Sequence, residues 1–470
     1  MKKQVALFCI SAAFATGGYA EWSYDSSAQT ITDGTWVLNV STINNSTNLR
    51  LGKGGNGDAI NSTNAGSGDL DLSGFEGDTG RKILQVRSNA FKSVSVVSSL
   101  VIPDVTTIEA NAFNSCKLTN IVISADFSNP GNSIFYAAKL QDISPRTFTK
   151  ITSITTSMFA SCSALKGRLS FPNATVVNTG AFNGSALEHL EFSENLRSIG
   201  NEAFRSCASL TNIVPQNMPN LNSIGDNCYY GASVLQGDFV FPKIPILRGF
   251  RNAVKITSIV ATNATKIGSA CFYDCKALTN CQFSVNATNL EGNCFYNCTS
   301  LKSITALLPD TVYALGGGIY GCSKLAMPMR IANPRLTVLP SACFRGSMAS
   351  IIGDVEIYSP ITTIAAQAFQ GSKQGQVFNF YADNAPSSVA FNAFNAGGGN
   401  GYGRLGVYIR VHSKSALAGW RALCTKTAPD EISSMNGYPG AGTVGVAVDS
   451  GYNHWIIDAT PPSGTIITVM

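Results

Sequence analysis

Charge is scarce in this 470-residue chain: Asp, Glu, Lys and Arg make up only 13% of it, the formal net charge is +5, and histidine occurs three times. Runs of like charge and clustered basic stretches are absent, which argues against nucleic acid as a partner. His189, His412 and His454 stand in separate segments with no Ser or Cys nucleophile in motif context, so spacing assembles no triad. The carboxylates are equally scattered and nominate no glycosidase pair. Glycine clusters at 52–57, 316–318 and 397–401 lack the strand-to-helix setting and the lysine of a phosphate loop, and read as turns. No later stretch approaches the roughly 20 apolar residues of a membrane helix. These absences leave no catalytic residue, cofactor or metal to nominate by motif, and the expectation is a non-enzymatic chain.

What is present begins at the N-terminus. Met1-Lys-Lys precedes an apolar run at 5–14 and a small-residue exit, Gly18-Tyr-Ala20. That is the layout of a secretory signal peptide covering residues 1–20, with the mature chain starting at Glu21. Cys9 sits too early for a lipid-attachment site. The expected location is outside the cell, secreted or surface-associated.

The remainder is dominated by a repeat. Ile108-Glu-Ala-Asn-Ala-Phe113-Asn-Ser-Cys116-Lys-Leu118 returns, with drift, as Ile199-Gly-Asn-Glu-Ala-Phe204-Arg-Ser-Cys207-Ala-Ser-Leu210 and as Ile267-Gly-Ser-Ala-Cys271-Phe272-Tyr-Asp-Cys275-Lys-Ala-Leu278. With the aromatic as anchor, copies follow at Phe91, Phe113, Phe159, Phe182, Phe204, Tyr229, Phe250, Phe272, Phe295, Phe344, Phe369 and Phe394. Two gaps are filled by degenerate units in which Ile134 and Ile319 take the aromatic position. About fourteen rungs of roughly 21 to 25 residues result, and a unit this short buries its apolar face only by stacking on its neighbours.

Apolar spacing changes within each rung. An aliphatic residue, an aromatic five positions on and a small residue three further fit one short helical or 3₁₀ turn with its face inward. Alternation follows, as in Leu187-Glu-His-Leu190-Glu-Phe192, and predicts a short strand buried on one side and wet on the other. Stacked strands then form a long parallel sheet.

The Ile-Gly-x-x-Ala-Phe-x-x-Cys-x-x-Leu pattern at 199–213 and 267–278 resembles the leucine-rich repeats of the Bacteroides surface protein (BspA-like) type, over about two thirds of the chain. The resemblance implies a right-handed α/β solenoid whose strands line a concave face, in bacterial secreted and surface proteins associated with adhesion. No motif in that repeat encodes a ligand.

Four segments are expected: the leader at 1–20, a β-rich N-terminal cap at 21–80, the solenoid at 81–400 and a C-terminal capping segment at 401–470. Thr30 to Val40 reads as strand, Asp-Gly turn, strand. Residues 58–78, rich in Gly, Asp and Asn, read as a flexible loop; calcium is the alternative, but the Asp-x-Asp-x-Asp-Gly order is missing. Residues 415–423 predict a helix with Leu417, Trp420 and Leu423 on one face, closing the last rung.

The cysteines carry the sharpest chemical alternative. Cys271 and Cys275, and Cys294 and Cys298 one rung on, could bring four thiols around a zinc ion. Against this, cysteine exchanges with Ala and Ser at two small positions of the rung, as a compact core filler does. A Cys271–Cys294 disulfide across neighbouring rungs is also within reach.

What remains is the wet face of the strands. Alternation places Asn120, His189, Glu191, Asn212, Ser258, Asn280, Gln282 and Ser303 there, in a mostly neutral polar stripe. The expected function is a repeat scaffold for recognition or adhesion, with an extracellular protein or glycan as ligand. A carbohydrate-binding or carbohydrate-degrading protein with its site in a cap, and a structural surface-layer component, are the alternatives.

Overall fold

The computed structural model describes residues 21–424 apart from 45, 53–56, 62, 65, 305–309, 391 and 395–403, together with 443–449 and 452–458. The expected leader and the glycine cluster at 397–401 lie outside the described residues.

Each rung contributes two strands. In the rung of Phe113 these are the two-residue Thr107–Ile108 and the longer Asn120–Ile123. The longer strands pair in parallel from rung to rung, Leu100 opposite Ile121 and Ile121 opposite Ile143. The short ones form a second parallel ladder, Val86 beside Ile108 beside Pro130. Alternation supplies the core: Ile121 and Ile123 are buried while Asn120 and Val122 are exposed. The architecture is a β-solenoid of stacked parallel strands.

The segment joining the two strands departs from expectation. Among the described residues, helix is confined to Phe75–Thr79, the 3₁₀ turn Met348–Ser350 and Lys414–Ala422. In place of a helical turn, Asn111 and Ser115 take left-handed backbone angles, φ 58° and 56°. Two such residues four apart break any helix. The N–H groups of Asn111, Phe113 and Ser115 point instead to the carbonyls of Asn132, Ile134 and Tyr136 in the next rung, at 2.8 to 2.9 Å. Those of Ala112, Asn114 and Cys116 bond three residues back, at 3.1 to 3.4 Å. Glu202 and Ser206, and Asn293 and Asn297, repeat the conformation around Phe204 and Phe295. Asn tolerates it better than most residues.

The anchor rings stack along the core. Phe91, Phe113, Phe135 and Phe159 follow one another at 5.2 to 5.5 Å between centroids, and Phe182 lies 5.6 Å from Phe204. One frame is corrected: Phe135, not Ile134, occupies the anchor position, and Ile134 stands where Ala112 does, supplying the carbonyl to the Phe113 N–H. Ile319 does stand in the row, since its N–H bonds the Cys343 carbonyl just before Phe344.

At the N-terminal side Ser23–Asp25, Thr30–Thr32 and Val37–Thr42 form an antiparallel meander. Its turn is set by Asp33, whose carboxylate accepts the N–H groups of Thr35 and Trp36, with Gly34 at φ 87°. Leu49–Leu51 pairs antiparallel with that meander and parallel with Ile83–Val86, so it converts one pattern into the other. The loop expected at 58–78 is partly ordered structure. Gly68–Asp71 pairs with Val97–Ile102, and Phe75–Thr79 is a helix, because Leu70, Leu72 and Phe75 are buried.

At the other end Arg404–Val411 continues the ladder from Val377–Phe380. The helix Lys414–Ala422 buries Ala416, Leu417 and Trp420, with Trp420 edge-on to Phe380 at 4.7 Å.

Candidate functional site

Register decides which wet side chains become neighbours. Arg168, His189 and Asn212 stand side by side on adjacent strands, as do Ser170, Glu191 and Val214 on the next outward position. Ser258, Asn280 and Ser303 form an equivalent row, with Val260 and Gln282 beside it. Asn120 belongs to the ladder of Ser99 and Asp142. The eight expected residues thus share one face but fall into three groups. The long-strand ladder is interrupted where Ser144-Pro145 and Val214-Pro215, both cis, follow strands. Proline has no N–H to donate.

The first group holds more charge than the sequence stripe implied. Arg168 pairs with Glu191, and this hydrogen bond, followed by one from Ser170, holds the Glu191 carboxyl below its usual range. Arg146 pairs with Asp142 at 2.6 Å and donates to the Lys166 carbonyl at 2.8 Å. Arg146, Lys166, Arg168, Ser170 and Glu188 line a shallow depression of about 580 Å³. His189 is exposed, with Nδ1 3.3 Å from the Thr211 hydroxyl. The stripe read as mostly neutral is therefore charged here. Arg168 escaped notice because Gly167, at φ 80°, offsets the start of its strand from the Leu-x-x pattern of neighbouring rungs.

The second group is neutral. Asn280 donates to the Ser258 hydroxyl at 3.4 Å and accepts from Ser303 at 3.2 Å, so amide and hydroxyls form a hydrogen-bonded row. Asn280, Gln282, Ser284, Asn286 and Ser303 line a depression of about 640 Å³.

A charged cluster near the C-terminal end was not anticipated. Arg330, Glu356, Asn379 and Arg410 occupy one register row. The buried Asn379 amide donates to Asp354 at 3.2 Å and Glu356 at 2.8 Å, while its oxygen lies 3.0 Å from His412 Nε2. Tyr358, Tyr381 and His412 stack at 4.4 and 4.3 Å. Burial, then the Glu356 carboxylate, pushes the Tyr381 phenol well up. Both carboxylates are tied to a single amide, which gives them a scaffolding part. The polar Asn379 between Phe378 and Phe380 was the available sequence signal.

Among the four thiols considered as metal ligands, three are engaged by backbone carbonyls along the ladder. Cys275 and Cys298 donate back to the carbonyls of Phe250 and Phe272 at 3.0 Å, whereas Cys294 lies 3.6 Å from the Gly318 carbonyl of the following rung. All four are free and buried, and burial raises each thiol. Among the described residues no group of three or more His, Cys, Asp or Glu is placed to hold a metal ion. No described helix is long and apolar enough to cross a membrane.

The sequence matches the family described as BspA type leucine rich repeat region, in six copies covering 84–176, 147–244 and 248–376. Among solved structures, a leucine rich cell surface protein of Faecalibacterium prausnitzii is 19% identical, covering 70% of this chain and 94% of its own, with a TM-score of 0.38. A leucine-rich repeat protein of Bacteroides ovatus is 16% identical over 62% of this chain and 93% of its own, TM-score 0.33. The pneumococcal vaccine antigen PcpA is 16% identical over 85% and 95%, TM-score 0.44. No curated protein matches in sequence.

Proposed function

We propose that this chain, which belongs to the BspA-type leucine-rich repeat family, is an exported, non-catalytic scaffold that recognises an extracellular macromolecule on the wet face of its strands. Its parts are a leader at 1–20, caps at 21–80 and 401–470, and a right-handed stack at 81–400 with that face concave. The observation that carries the reading is the row Arg168, His189 and Asn212 beside the depression lined by Arg146, Lys166 and Glu188. There both signs of charge meet solvent on a rigid ladder, and side chains held on neighbouring strands lose little entropy on binding. Contacts summed over several rungs then set affinity and register.

A protein ligand is favoured over the cap-borne carbohydrate site, because the charged depression lies in the stack and not in a cap. The test is an array of extracellular proteins and glycans probed with the chain from Glu21 onward, alongside Arg168→Ala and Asn280→Ala. A protein ligand whose binding weakens in either variant is the expected result. Binding indifferent to both variants, or ordered self-assembly with no ligand, would overturn the reading.

A further inference from the structure

One residue past each anchor, on the outside of the turn column, the side chains of seven consecutive rungs stack into a second file. The guanidinium carbons of Arg205 and Arg251, from the rungs before and after, stand over the Tyr230 ring, 5.2 and 5.4 Å from its centroid. Arg251 also covers Tyr273 at 4.8 Å. Tyr273, Tyr296 and Tyr320 stack at 4.4 and 4.5 Å, within 5° of parallel, and Arg345 closes the run 5.4 Å from Tyr320. All are half-buried.

Stacking uses up the faces of these groups, so only their edges look outward. For tyrosine the edge carries the hydroxyl. For arginine the edge is the plane of N–H donors, which suits carboxylate or sulfate oxygens. Among the described residues no carboxylate pairs with the Arg251 guanidinium, whereas Arg205, Arg248 and Lys266 each have one. Arg251 also lines a groove of about 480 Å³ shared with Arg248 and Lys266. Acids are present, but each is engaged: Glu202 holds Arg205 at 2.6 Å, Asp226 holds Arg248 at 2.9 Å and Glu291 holds Lys266 at 2.6 Å.

Spacing selects the ligand. Guanidiniums stand an even number of rungs apart, Arg251 two beyond Arg205 and Arg345 four beyond Arg251, or about 10 and 19 Å at the usual strand separation, and Tyr296 fills the even position between the last two. One rung matches the advance of one pyranose along an extended β-linked chain. A polymer with an anionic group on every second sugar therefore stays in register with the arginines, while tyrosine hydroxyls meet the sugars between. We propose that this file binds a linear polysaccharide carrying carboxylate or sulfate on alternate sugars, laid along the axis of the stack. The site is separate from the strand face.

The test measures binding of the chain from Glu21 onward to heparin, to hyaluronan and to uncharged cellohexaose by titration calorimetry at low and high salt. Binding to at least one charged polymer, weakened by salt, is expected, with Arg251→Ala/Arg345→Ala losing at least ten-fold. Lys150→Ala, at an exposed cation outside both faces, should bind as the wild type does. Both polymers carry a uronate carboxylate on every second sugar, so hyaluronan binding shows that carboxylate suffices, whereas binding of heparin alone shows that sulfate is required. If the alanine variant misfolds by circular dichroism, Arg251→Lys/Arg345→Lys replaces it; the charge stays, the planar edge is lost, and affinity should still fall several-fold. No binding to either charged polymer, equal binding of cellohexaose, unchanged affinity in the arginine variants or loss in Lys150→Ala would each overturn the proposal.

Discussion

Cys298 Sγ donates to the carbonyl oxygen of Phe272, 3.0 Å away in the preceding rung. That carbonyl already accepts the N–H of Cys275 at 3.1 Å, so the thiol is its second donor. Cys162, Cys207, Cys275 and Cys322 repeat the contact at 3.0 Å, and Ser347 makes it to Ile319 at 2.7 Å. At Ser347 the exchange of cysteine with serine thus preserves the hydrogen bond as well as a volume, whereas Ser372 turns its hydroxyl to the Phe369 carbonyl of its own rung at 2.7 Å. Ala138, Ala232 and Ala253 show that the position tolerates losing the bond.

From this contact, Cys298→Ser should stay close to wild type, and Cys298→Ala should fold but be less stable than the serine variant by about 0.5–1.5 kcal/mol. Urea midpoints with unchanged slopes measure the difference. An alanine variant as stable as the serine one would remove the donor role.

Phe204→Ala deletes a ring packed between Phe182 at 5.6 Å and Tyr229 at 5.3 Å. The expected cost is about 3–5 kcal/mol. Because rungs couple chiefly to their neighbours, hydrogen exchange should quicken first in the rungs of Phe182 and Tyr229. Uniform loss of protection along the stack would contradict nearest-neighbour coupling.

Burial pushes the Cys116 and Cys207 thiols up from 9.0 to about 11. The folded state holds these protons more tightly than the unfolded chain, so the contribution is complete below pH 9 and is lost as pH rises through about 11. Thermal midpoints should therefore fall across that window, and less steeply in Cys116→Ser/Cys207→Ser. A variant curve parallel to the wild type would show that other groups govern the alkaline limb.

The twelve cysteines of the described residues are free. Thiol titration of the denatured chain from Glu21 onward should find all twelve, and a chelator should leave the unfolding midpoint unchanged. Stoichiometric zinc or a shortfall of thiols would restore the alternatives at Cys271, Cys275, Cys294 and Cys298.

Rung boundaries and the inward set were legible because apolar period survives drift: Ile108, Phe113, Leu118 and Ile121 are all buried. The backbone between them was not. An aliphatic and an aromatic residue five apart fit a helical turn as well as the observed string of turns, and only Asn or Ser at the left-handed positions hints at the difference. Ile134-Phe135 offered two apolar residues for one anchor, and the choice follows from bonding to the next rung. Alternation likewise showed that Glu191 faces water, but its partner Arg168 depended on register between rungs of unequal length. The arginine–tyrosine file was invisible for the same reason, since its members lie 21 to 25 residues apart.

The N–H groups that leave each turn all point toward the following rung, which gives the stack a head and a tail. The early end must be met by donors, and the Ala59 N–H serves the Ala90 carbonyl there at 2.8 Å. The late end must be met by acceptors, and already between the last two rungs a side chain takes this part, the Asn392 oxygen accepting the Gln367 N–H at 3.1 Å. The two ends are therefore not interchangeable: a terminal segment transplanted from one to the other would set donor against donor. Extra rungs fit this column only when spliced head to tail.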